Sequence, residues 1–82
     1  MPTVLRLGGL RVVIYPNDHR PAHVHVTGAD GEAVFILHCP AGPPRLREVW
    51  GFNRQDVTRI GNDLAAHLAV LCEKWDDIHG NS

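Results

Sequence analysis

The chain has 82 residues and a net charge of −1, with eight bases against nine acids and seven arginines among the bases. That length holds one domain with one small core, so a single domain spanning 1–82 is expected. The near-neutral balance gives no general attraction to nucleic acid or to acidic membrane surfaces.

The opening MPTVLRL contains no long apolar run, and no later segment is apolar enough to span a bilayer. A cytoplasmic protein with no membrane partner is therefore expected. Thr3–Leu7 and Leu10–Tyr15 read as strands. Gly8-Gly9 between them marks a tight hairpin, because such turns need positive φ. Within the second run, Val12 and Ile14 share one face, while Arg11, Val13 and Tyr15 share the other. Pro16–Ala22 is a loop leading to a strand at His23–Thr27. Gly28–Gly31 makes a second turn, and Glu32–His38 a fourth strand.

The tract Asn17–Val26, NDHRPAHVHV, carries three of the six histidines, His19, His23 and His25. Residues two apart in a strand point to one face. His23 and His25 therefore make an imidazole face, and Val24 and Val26 bury on the other. Asp18 and Arg20 accompany them, and Pro21 stiffens the approach. This spacing suits proton transfer, phosphate contact or a metal ion. The bland alternative is a pair of polar residues on the solvated face of a half-buried strand.

Residues 39–44, CPAGPP, break regular structure with three prolines and a glycine. Arg45–Trp50 is either a short edge strand or irregular. The sheet thus has four to five strands within residues 3–50. Cys39 and Cys72 fit no metal or redox spacing; a single disulfide between them is open but unsupported by the pattern, and Cys72 otherwise reads as an inert, part-buried thiol.

One long helix is expected over residues 53–79. Asn53 is a good N-cap and Asp56 completes a capping box. Val57, Ile60, Leu64, Leu68, Leu71, Trp75 and Ile78 form an apolar stripe at helical period. Gly80 is the expected stop. Trp75 belongs to this stripe, and Trp50 pins the helix start. His67 lies about 60° around the wheel from Leu64, at the stripe margin, where it can meet the His23/His25 face. His79 lies at the other margin. The expected fold is α+β: an antiparallel meander with one long C-terminal helix packed on it.

Several of these features coincide with a known pattern. The N-D-H-x-P-x-H-V-H core, Gly51-Phe52 before the helix, and His67, Leu71, Trp75 and His79-Gly80 within it resemble the small prokaryotic family called domain of unknown function 4160. The proline-rich stretch 39–50 departs from that pattern. The resemblance implies a short protein often encoded beside another short protein, in pairs that look like toxin–antitoxin modules. It implies no established activity, substrate or cofactor.

Three chemistries compete for the histidines. The leading one is a toxin-type, metal-independent RNase. His23 or His25 acts as base, His67 or His19 as acid, and Arg20 or Arg11 clamps the anion. The second is a regulatory protein that binds a cognate small protein without catalysis. The third is a metal site built from His23, His25, and His67 or Asp18. With the third ligand ambiguous, the metal ranks last, and no cofactor or stoichiometric zinc is expected. RNA is a candidate target, and a homodimer through an exposed sheet edge is a further expectation.

Overall fold

The structure is a computed structural model and describes residues 3–80. Five strands follow one another: β1 (Thr3–Leu7), β2 (Leu10–Val13), β3 (His23–Thr27), β4 (Glu32–Ile36) and β5 (Arg45–Trp50). Each pairs antiparallel with the next, giving a five-stranded meander in the order β1-β2-β3-β4-β5. Two helices complete the chain, α1 (Arg54–Ala66) and α2 (Leu68–His79). The protein is α+β, as its pattern predicts.

The alternation in β2, β3 and β4 divides the sheet into two faces. Val12, Ile14, Val24, Val26, Ala33, Phe35 and Leu37 join Ile60, Leu64, Leu71 and Trp75 in one apolar core. The helices therefore cover the valine face of β3. The register places Val13 and Val34 on either side of His25, on the opposite face. The strand at β5 forms, and its ladder slips by one residue so that Arg47 faces no partner on β4. Such a bulge on an edge strand discourages uncontrolled pairing.

The single expected helix is two. Asn53 and Asp56 make the predicted capping box, each side chain accepting the other's backbone N–H. The break falls at His67, with φ −115° and ψ 18°. In an unbroken helix the His67 backbone N–H would donate to the Asp63 carbonyl. Here the His67 ring lies 2.9 Å from that carbonyl through Nδ1 and donates to it instead. The backbone N–H turns to Leu64 O at 3.1 Å, which closes the turn. Across the break the stripe continues. Ile60, Leu64, Leu71 and Trp75 are buried, and Val57, Leu68 and Ile78 pack partly buried against them. Gly80 ends α2 at φ +75°.

The proline-rich loop is docked on α2. Cys39 and Cys72 form a disulfide with their Cα atoms 5.8 Å apart. Cys72 is therefore not a free thiol. Sequence separation hid the pairing because only the fold brings the loop across the helix. Gly42, at φ +73°, sits so close to Leu68 that an added Cβ would lie 2.7 Å from Leu68 Cδ2. Trp50 does not pin the helix start either. It is 65% exposed at the end of the edge strand.

Candidate metal centre

β3 is the middle strand, and its non-core face carries His23 and His25. Their rings lie edge to face with centroids 5.3 Å apart. His23 is buried at 6% exposure, and His25 is partly buried. The loop before β3 folds back over this face and delivers Asp18. That loop is fixed locally: Asp18 Oδ2 accepts the Tyr15 backbone N–H at 3.1 Å, and the Asp18 N–H donates to Tyr15 O at 3.0 Å. Tyr15 also sets its ring edge-on to His25, with centroids 4.9 Å apart.

Asp18 Oδ2 lies 3.5 Å from His23 Nε2 and 3.2 Å from His25 Nε2. The opposite nitrogen of each ring is held elsewhere. His23 Nδ1 donates to the Pro21 carbonyl at 2.8 Å. A carbonyl only accepts, so this contact places the proton on Nδ1 and leaves the Nε2 lone pair of a neutral ring facing Asp18. His25 Nδ1 lies 3.5 Å from Glu32 Oε2. Its Nε2 is buried and makes no hydrogen bond. The 3.2 Å approach to Asp18 is within ion-pair reach, but its geometry is not that of a hydrogen bond. A charge-assisted bond would be about 2.7–2.9 Å.

The ligating atoms of Asp18, His23 and His25 all lie within 4.8 Å of one another. Tetrahedral bonds of 2.0–2.1 Å place neighbouring donor atoms about 3.3 Å apart. The two separations to Asp18, 3.2 and 3.5 Å, bracket that value, and the two ring nitrogens lie within 4.8 Å of each other. Ring nitrogens turned away from the centre toward a carbonyl and a carboxylate are the usual outer supports of metal-bound histidines.

The remaining sequence candidates lie elsewhere. His19 and Arg20 are exposed. His67 is exposed and engaged at the helix break through Asp63, and no ring contact or ion pair joins it to His23 or His25 among the described residues. The helix does reach the cluster, through Trp75, whose ring centroid is 5.3 Å from that of His23. His79 stacks on Trp75 at 3.8 Å. Residue spacing did not disclose Glu32 as a support for His25. The hairpin register could have, because Glu32 faces Thr27 and so lies diagonal to His25. A cleft of about 440 Å³ beside the Gly8-Gly9 turn and α1 contains no histidine in its lining.

Residues 9–76 match the family described as Domain of unknown function (DUF4160). The chain belongs to the DUF4160 family. The matched span runs from the β1–β2 turn into α2 and includes Asp18, His23, His25, Glu32 and Trp75. No solved structure matches the chain. No helix among the described residues is long and apolar enough to cross a membrane.

Proposed function

We propose that this member of DUF4160 is a metal-binding domain in which Asp18, His23 and His25 hold one divalent first-row transition ion. The convergence of the two Nε2 atoms on one Asp18 oxygen carries this reading. Two imidazoles and a carboxylate suit zinc or iron(II). Three protein ligands leave a position for water or substrate, the composition of a catalytic centre. Glu32 and the Pro21 carbonyl orient the rings, and Tyr15 N–H orients the carboxylate.

The metal-independent RNase reading receives less support. It drew its acid from His67 or His19, and His67 instead closes the break between α1 and α2 while His19 is exposed. Partner binding within a toxin–antitoxin-type pair is kept as a second reading on one observation. Val49 and Trp50 are both exposed on β5, one on each face of the sheet, and exposed apolar side chains of this kind suit contact with a partner.

The test is elemental analysis of untagged protein, followed by titration of the chelator-stripped chain with zinc and with cobalt(II). One ion per chain is expected. Asp18→Ala or His25→Ala should remove it, and His19→Ala or His67→Ala should leave it unchanged. Circular dichroism checks that each variant is folded. A folded wild type that binds neither ion sinks the proposal. So does undiminished binding in the Asp18 and His25 variants.

A further inference from the structure

A second feature on the same sheet face lies outside the histidine cluster. Arg6 on β1 stands directly opposite Arg11 on β2. Arg11 in turn stands opposite Thr27 on β3. Directly opposed residues of neighbouring antiparallel strands share a face. The three side chains therefore form a row across three strands, two residues along β3 from His25. They border a depression of about 320 Å³ together with Gly9, Gly28 and Ala29.

Two observations single out this row, whose arginines are exposed. Like charges directly opposite each other in a ladder cost stability, and no ion pair among the described residues offsets that cost here. Among the described residues, neither Arg6 nor Arg11 is in an ion pair; the ion pairs present join other residues. Beside them, Thr27 Oγ1 is buried and has no hydrogen-bond partner. Glu32, opposite Thr27 at the far end of the row, faces His25 Nδ1 at 3.5 Å. Two arginines and Thr27 thus line one depression, and neither guanidinium is in an ion pair.

We infer that Arg6, Arg11 and Thr27 bind the phosphate group of a small ligand. Guanidinium groups match tetrahedral oxyanions with paired N–H donors. A phosphate between the two arginines removes their repulsion. The site does not depend on the metal reading, although an ion at Asp18, His23 and His25 would share the same face. Free phosphate and a nucleotide present the same chemistry.

The experiment is a nuclear magnetic resonance titration of chelator-treated protein at constant ionic strength. One arm uses inorganic phosphate, the other adenosine 5′-monophosphate, with chloride as reference. Saturable shifts centred on the amides of Arg6, Arg11 and Thr27 are expected in at least one arm. The tighter arm identifies the source. Each lost charge-assisted contact weakens binding roughly ten- to hundredfold, so Arg11→Gln and Arg6→Gln should each show that loss. Asp18→Ala should bind phosphate as the wild type does, which separates this site from the metal centre. Shifts that fail to saturate, that spread over the surface, or that persist at equal affinity in both arginine variants overturn the proposal.

Discussion

At the residue scale, what distinguishes this site is which nitrogen of each imidazole is engaged and by what. His23 is fixed by a backbone carbonyl two residues away, at 2.8 Å. His25 depends on Glu32, at 3.5 Å across the hairpin. The two supports differ in what mutation can reach. The Pro21 carbonyl survives any side-chain change, whereas Glu32→Gln removes the charge that orients His25. Loss of such an outer support lowers metal affinity by about 10–100-fold. Glu32→Gln should therefore bind cobalt(II) with that deficit and keep its far-ultraviolet circular dichroism. An unchanged affinity would show that Glu32 does not support the ligand. His67 illustrates the opposite outcome. Its ring chemistry is spent on the Asp63 carbonyl, where it replaces a backbone donor and breaks the helix.

At the element scale, the break at His67 and the disulfide determine how α2 meets the sheet. The Cys39–Cys72 bond ties the proline-rich loop to the first turns of α2, across 33 residues of sequence. The same helix presents Trp75 to His23. Closing a loop of that length stabilises a domain by about 2–4 kcal/mol, mainly by restricting the unfolded chain. The Cys39→Ser/Cys72→Ser double variant should lose that much in denaturant unfolding. Reduction of the wild type should give a similar loss. A double variant as stable as its parent would mean that the apolar packing of Leu68 against Gly42 holds the loop unaided.

At the scale of the whole molecule, the meander leaves two edges, and they are not equivalent. β1 borders the arginine row. β5 carries a bulge at Arg47 and the exposed pair Val49 and Trp50. If β5 carries the docking surface of the proposed gene pair, coexpression with any short protein encoded beside this chain's gene should yield a complex. Trp50→Ser with Val49→Lys should reduce co-purification, while Asp18→Ala leaves it intact. A complex indifferent to the β5 variant, or none at all, removes the second functional reading. Asp18, His23 and His25 lie on the face of the middle strand, whereas Val49 and Trp50 lie on the edge strand, so the two readings are tested by different substitutions.

Periodicity by itself determined most of the architecture, because burial imposes it directly. The spacing two apart in HVHV assigned Val24 and Val26 to the core and His23 and His25 to one shared face. The stripe from Ile60 to Trp75 found its apolar surface, and the capping box located the start of α1. Local turn chemistry likewise placed the hairpins at Gly8-Gly9 and Gly28–Gly31. What spacing could not decide was which distant groups meet. Spacing favours His67 as the third ligand, with Asp18 as the alternative. The Asp18–Tyr15 hydrogen bonds and the helix break at His67 separated them. Glu32 reached His25 only through hairpin register, and Cys39 reached Cys72 only through the packing of a loop on a helix. Such contacts depend on three-dimensional direction, which a period along the chain does not carry.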